Sequence, residues 1–364
     1  MAKAKLASSA SSRPVRTIAV CAAQVPFFHG GAEAHVQGLV DNLRAFGFSV
    51  DLINIPYKWY PHSQLLKSIE IWRMLDLSES NGMPIDLVIT TKFPSYFAQH
   101  SNKVLWLIHQ YRQIYDLMGT EYSEFDPSDA KAMAFRDQLV AMDTQALKSY
   151  RRIFTNAMNT AARLKKYNRI EAQPLYHPPR LAGRYYTEAY GDVILSVGRL
   201  DKLKRVDHLL HALSNCETSI RCKIAGTGPE EDGLKDLAQD LGLGDRVEFL
   251  GFVPDELLLA LYANCGAVYF APRDEDYGYI TLEAFLSKKP VITSTDAGGP
   301  LEFVEDGANG IVLPSLDDRT LGRAMESLLR DKAKCAALGN SGYKRVMDIG
   351  WDRVIRTLIG ENPP

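Results

Sequence analysis

The sequence lacks most of what would mark a secreted, membrane-embedded or nucleic-acid-coating protein. Its five cysteines (Cys21, Cys216, Cys222, Cys265 and Cys335) are scattered without a C-x-x-C pair. That argues against zinc and disulfide frameworks and fits reduced thiols. No apolar run approaches the ~20 residues of a membrane span. The opening MAKAKLASSASSRPVR has no apolar core of the secretory type, and residues 1–14 read as a flexible tail. Neither sign of charge dominates: 42 Lys and Arg meet 44 Asp and Glu, a net charge of -2. A general nucleic-acid binder is therefore excluded. A complete G-x-G-x-x-G is also missing. The closest approach, GTGPEE, puts Glu231 where the third glycine should fall, which counts against a nicotinamide enzyme.

What remains is an ordinary soluble composition, 46% hydrophobic and 24% charged over 364 residues. That length is more than one core usually holds, so two domains are expected. The chain alternates short apolar runs with helical patterns. Thr17 to Ala22 reads as a strand, Ala32 to Phe46 as a helix, and Val50 to Ile53 as the next strand. Gly30 and Gly31 sit at the first strand-to-helix turn, where they serve a tight turn or let backbone approach a ligand. Leu87 to Thr90 and Val104 to Ile108 are short, apolar and β-branched, as buried parallel strands are. His109 follows the second of these, at the end of the sheet where α/β ligands gather. Leu175 to Asp192 is broken by Pro and Gly and reads as the domain boundary. After it the same grammar restarts with Val193 to Val197, Val206 to Leu213 and Ile220 to Ala225.

Between these, Leu65, Leu66, Ile69, Trp72 and Leu75 form an apolar stripe at helical spacing. A core-facing helix is the first reading. A membrane or lipid-acceptor surface anchored by Lys58, Lys67 and Arg73 is the second.

The most informative stretch is RDEDYGYITLEAFLSKKPVITSTDAGGP, Arg273 to Pro300. It reads as an acidic loop, a turn through Gly278, a helix from about Ile280 to Lys289, and a strand at Val291. A helix N-terminus exposes unpaired N–H groups and the positive end of a dipole, and so seats phosphate. Glu275 and Glu283 flank that seat with seven residues between them, Glu283 on the expected first turn. Carboxylates accept hydrogen bonds only, so sugar or ribose hydroxyls are their natural partners. Asp274-Glu275-Asp276 also reads as D-x-D, a short and common acidic pattern that could hold a divalent metal.

This stretch resembles the E-x7-E segment of family-4 retaining glycosyltransferases. The likeness extends, in the family's order, to VGRLDKLKRVDHLL, AGTGPEEDGL, VEFLGFVPDELLLALY and DAGGPLEFVEDGANGIVLP, over about residues 190–315. Upstream it thins to GGAEAH and WLIHQY. The resemblance implies an α/β GT-B fold: two Rossmann-like, doubly wound domains facing a central cleft. Residues 15–182 would bind the acceptor, 183–345 the nucleotide sugar, and 346–364 would cross back to the first domain.

It further implies retaining transfer of a sugar from a UDP- or GDP-sugar donor to a glycan or lipid-linked acceptor, with no cofactor and no metal. Arg199 and Lys204 would contact the donor diphosphate, as a clamp and a point charge. Backbone from Gly278 through Tyr279 and Ile280 to Thr281 would hold the distal phosphate. Glu283 would bind ribose, Glu275 a donor-sugar hydroxyl, and His109 the donor sugar. Phe252 and Val253 would wall the nucleobase, and Gly30, Gly31, Gly198 and Gly226 complete the donor-binding set. Each has a plainer reading: solvated cations for Arg199 and Lys204, a dipole carboxylate for Glu283, a loop acid for Glu275, and core packing for Phe252 and Val253. Asp276, Tyr277, Tyr279 and Thr281 depart from the commoner family pattern. Alternatives are a non-catalytic sugar-nucleotide binder and a GT-B-type epimerase. A cytoplasmic enzyme, with peripheral contact at the inner membrane face, is the expected setting.

Overall fold

The computed structural model describes residues 14–27, 30–216 and 220–360. By packing, the chain divides into two units. Of the described residues, unit 1 combines 14–27, Val36–Ile153 and 355–360, and unit 2 combines 30–35 and those within Phe154–Val354.

The first half of the chain runs β1 (Thr17–Gln24), α1 (Gly31–Ala45), β2 (Ser49–Pro56), α2 (Ser63–Met74), β3 (Glu79–Ser80), β4 (Met83–Pro84), β5 (Leu87–Thr90), β6 (Lys103–Leu107), α3 (Ala130–Lys148), β7 (Ile153–Thr155), α4 (Met158–Asn168) and β8 (Gln173–Pro174). Its main sheet has the order β2-β1-β5-β6-β7-β8, while β3 and β4 form a small antiparallel ribbon. Parallel pairing sets Cys21 opposite both Ile53 and Thr90. The central strands β1 and β5 are buried on both faces because a parallel sheet is covered on both, whereas the edge strand β2 is partly exposed. Helix α2 buries Leu65, Ile69 and Trp72, so its stripe faces the core. Among the described residues no helix is long and apolar enough to cross a membrane.

The second half runs β9 (Val193–Val197), α5 (Val206–Ser214), β10 (Arg221–Ala225), α6 (Glu231–Asp240), β11 (Val247–Gly251), α7 (Asp255–Asn264), β12 (Ala267–Tyr269), α8 (Tyr279–Leu286), β13 (Val291–Ser294), β14 (Gly310–Leu313), α9 (Asp318–Arg330), α10 (Lys332–Val346) and α11 (Trp351–Ile359). Its sheet has the order β11-β10-β9-β12-β13-β14, and the strands pair in parallel. Alternate residues feed opposite faces, as strand geometry requires. Ile194, Ile224, Tyr269 and Ile292 join one apolar cluster, and Leu195, Ala225, Val268 and Val291 join another. The order reverses between β9 and β12, which makes their C-terminal ends a topological switch point.

Helix α8 differs from its expected span. It begins at Tyr279 because Gly278 turns the chain in the left-handed region, φ 82°. It ends at Leu286, three residues short of Lys289. Lys288 is left-handed at φ 54° and breaks the helix. The buried Lys289 ammonium instead donates to the Ala189 carbonyl.

Candidate active site

In unit 2 the loops leaving β9, β10 and β11 are stitched together by backbone. Gly198 N–H donates to the Ala225 carbonyl at 2.9 Å, and Gly226 N–H to the Gly251 carbonyl at 2.7 Å. Gly226 cannot carry a side chain: a Cβ there would stand 1.8 Å from the Gly198 carbonyl oxygen, at φ 139°. A Cβ on Gly198 would meet Ile280 Cδ1 at 3.4 Å, so the β9 loop lies against the tip of α8. Phe252, just beyond β11, is 84% exposed and does not pack in the core. Val253 does pack, half-buried against the apolar cluster under α7 and α8.

The β9 loop also supplies the cations. Arg199 is exposed, with its Nε 3.8 Å from Asp201 Oδ2. Lys204 pairs with Glu275 and stands 5.7 Å over the Phe270 ring. Burial pulls the Lys204 ammonium down, but the Glu275 carboxylate, with help from Asp201 and Asp276, outweighs it and holds it above the ordinary lysine value. Arg205 is no solvated neighbour of this pair. Its guanidinium donates to the carbonyls of Ala271 and Pro272, to Ser294 Oγ and to both oxygens of Asp296. One arginine thus ties the β9 loop to the ends of β12 and β13.

At the tip of α8, Gly278 is the N-cap residue and no side chain caps the helix. An uncapped helix N-terminus is the kind of place that can seat an anion, although the Thr281 N–H already donates to the Gly278 carbonyl at 3.0 Å. Tyr279 and Ile280 are half-buried and Thr281 is buried. The Tyr279 hydroxyl is hydrogen-bonded to His177 Nε2. His177 also stacks on Tyr277, ring centroids 4.6 Å apart, and its burial pulls the imidazole down to about 3. Glu283 is not on the first turn. The early start of α8 makes it the fifth helical residue, where it accepts a 2.7 Å hydrogen bond from the Tyr262 hydroxyl. Burial pushes its carboxyl above the usual range, offset in part by Tyr262 and Arg180.

The acidic loop faces α4 as well as Lys204. Asn159 Nδ2 donates to Asp274 Oδ1 at 2.6 Å and to the Glu275 carbonyl at 2.8 Å. Arg163 donates to Asp276 Oδ1 at 2.5 Å and lies 3.4 Å from Asp274 Oδ2. Glu302 accepts from the N–H groups of Met158 and Asn159, both at 2.8 Å, and so caps α4. Both aspartates of the D-x-D are thus engaged by protein donors. Among the described residues no group of three or more His, Cys, Asp or Glu is arranged to hold a metal.

Of the residues assigned to the donor site from sequence, His109 belongs to unit 1, where its Nδ1 lies 2.9 Å from the Gln110 carbonyl. Gly30 and Gly31 belong to unit 2: Glu33 accepts from Gly30 N–H, and a Cβ on Gly31 would meet the Tyr279 ring at 3.4 Å. Within unit 2, Gly198 abuts Ile280, Lys204 pairs with Glu275, and Phe270 lies against both Lys204 and Gly278. Sequence reading missed Asn159, Arg163, His177, Arg205 and Tyr262. A polar pair four apart on a helix is the only signal for the first two, and any solvated helix carries one.

Residues 189–345 match the family described as Glycosyl transferases group 1. An uncharacterized glycosyltransferase of Methanocaldococcus jannaschii is 24% identical, over 92% of this chain and 94% of that protein. A D-inositol 3-phosphate glycosyltransferase of Corynebacterium kroppenstedtii is 30% identical over 46% of this chain; the alignment spans 40% of that enzyme's length. Among solved structures, sucrose-phosphate synthase of Thermosynechococcus elongatus superposes with a TM-score of 0.75, at 20% identity, over 95% of this chain and all of that one. HepE of Anabaena, in complex with UDP and glucose, superposes with a TM-score of 0.66 at 18% identity, over 93% of this chain and 98% of its own. With a group 1 segment over residues 189–345 and two parallel-sheet α/β units, the chain is a glycosyltransferase of the GT-B fold.

Proposed function

We propose that the protein is a retaining, metal-independent glycosyltransferase that moves a sugar from a nucleoside-diphosphate donor to a hydroxyl of a glycan or lipid-linked acceptor. The observation that carries this is the meeting of the β9 loop with the tip of α8. Gly198 abuts Ile280 while Lys204 pairs with Glu275, so a cation, a carboxylate and a helix N-terminus border one place at the switch point. A departing diphosphate needs this kind of preorganised positive field. Lys204 and Arg199 supply charge, and the N–H groups from Gly278 to Thr281 supply dipoles. Glu283 takes the ribose hydroxyls and Glu275 a donor-sugar hydroxyl, with Phe252 and Val253 beside the base. Gly30, Gly31 and Gly226 let backbone come close, and His109, at the end of β6, is assigned to the donor sugar. HepE, of the same fold, has been solved with UDP-glucose, which supports a nucleotide-sugar donor here.

In the reaction the anomeric carbon's bond to the diphosphate oxygen breaks, and the acceptor oxygen bonds to that carbon on the same face. The leaving phosphate takes the acceptor proton. Engagement of Asp274 and Asp276 by Arg163 and Asn159 supports chemistry without a divalent metal at the D-x-D. A thermal-shift panel of UDP, GDP, ADP and their sugar conjugates tests the reading. One base should raise Tm by mass action, and its sugar conjugate should turn over in EDTA. No shift with any nucleotide, or turnover lost to EDTA and restored by Mn²⁺, would sink the corresponding part.

A further inference from the structure

We infer that Asn159 and Arg163, on α4, are positioning residues that hold Glu275 in register with Lys204; this rests on the donor-site reading above. The two lie four apart and so share one helical face. That face meets the acidic loop across more than a hundred residues of sequence. Asn159 grips Asp274 through its side chain and Glu275 through its main-chain carbonyl. Arg163, its side chain 4% exposed, grips Asp276 and Asp274. With both aspartates drawn to α4, the intervening side chain is left to Lys204. The backbone of the loop is fixed from the other side as well. Glu275 N–H donates to the Ala297 carbonyl and its own carbonyl accepts from Gly299 N–H, both at 2.8 Å. Asp274 meanwhile adopts a left-handed φ of 47°, a conformation that needs such holding.

Three carboxylates in consecutive positions repel one another. Without Arg163 the two aspartates have less reason to stay on α4, and either can compete with Glu275 for Lys204. Arg163 is thus an internal counter-ion that decides which acid meets the cation. Asp276 is one of the positions where this chain leaves the commoner pattern, and Arg163 is its partner.

The test uses the full-length protein and Asn159→Ala, Arg163→Met and Arg163→Lys variants. Acetylation of Lys204 by limiting acetic anhydride, followed by mass spectrometry, reports whether Glu275 still covers the amine and needs no substrate. It should rise severalfold in Asn159→Ala and Arg163→Met and fall back toward wild type in Arg163→Lys. With UDP-glucose as probe, kcat should drop about tenfold or more while the Kd for UDP stays within about threefold. Unchanged Lys204 labelling in Asn159→Ala and Arg163→Met, or raised labelling with unchanged kcat, overturns the inference. Should Arg163→Met fail to fold, Asn159→Ala decides alone. A wild-type protein that binds no nucleotide defeats the donor-site reading instead, and the labelling result still stands or falls separately.

Discussion

Lys204 and Arg205 are neighbours of like charge, and the structure gives them opposite work. Arg205 is spent on carbonyls and Asp296, whereas Lys204 reaches a carboxylate beside the helix tip. Sequence alone distinguished Lys204 only through its family resemblance, because both are cations in one charged run. Replacing Lys204 or Glu275 by Ala should lower kcat by about 100-fold or more, since each acts on charge or hydroxyls at the reacting end. Circular dichroism should still report the native fold, although Tm should fall somewhat, because the pair is only 21% and 23% exposed and each variant strands a largely buried charge. Near-wild-type turnover in both variants would contradict the site. His177 gives a second test at this scale. Its folded-state value near 3 lies below the ordinary histidine value of about 6.5, so in that window the unfolded chain binds a proton that the native one refuses. Its contribution is complete above about pH 6.5 and is lost as pH falls, by about 2 kcal/mol at pH 5. A His177→Asn variant should therefore show a flatter decline of Tm between pH 7 and 5. An identical slope would remove His177 from the account.

At the level of elements, the buried strands were readable and the ends of helix α8 were not. Apolar, β-branched runs announce a buried parallel strand, and Leu87–Thr90 and Val193–Val197 coincide with β5 and β9. Helix α8 was harder, because its first and last residues are set by left-handed backbone at Gly278 and Lys288, which no periodicity reveals. That shift of one or two residues moved Glu283 off the first turn and into a hydrogen bond with Tyr262. The conformation of Gly278 makes a clear forecast. A Cβ there would press on Pro300 Cγ at 3.0 Å and Phe270 Cε1 at 3.1 Å, at a positive φ. Gly278→Ala should destabilise unit 2 by about 1–3 kcal/mol. It should also weaken nucleoside-diphosphate binding more than Phe252→Ala does, as calorimetry with UDP would measure.

For the molecule as a whole, length and the repeated strand–helix grammar made two α/β units legible. The identities of the long-range partners were not, because Asn159 and Arg163 meet the acidic loop through tertiary packing alone. A nucleotide that binds only the folded chain should stabilise it by about 2.7 kcal/mol at a concentration of 100 Kd, read as a rise in Tm. Substituting Lys204 should abolish most of that rise. Unit 1 is also discontinuous: residues 355–360 pack with it, and Arg152 donates to the Leu358 carbonyl 206 residues later in the chain. During synthesis, therefore, this part of unit 1 must wait while every strand of unit 2 emerges from the ribosome. A nascent chain stalled shortly after Ile153 would leave uncovered the surface against which Ile355 and Leu358 are later buried, and chaperones would have their longest hold on it there.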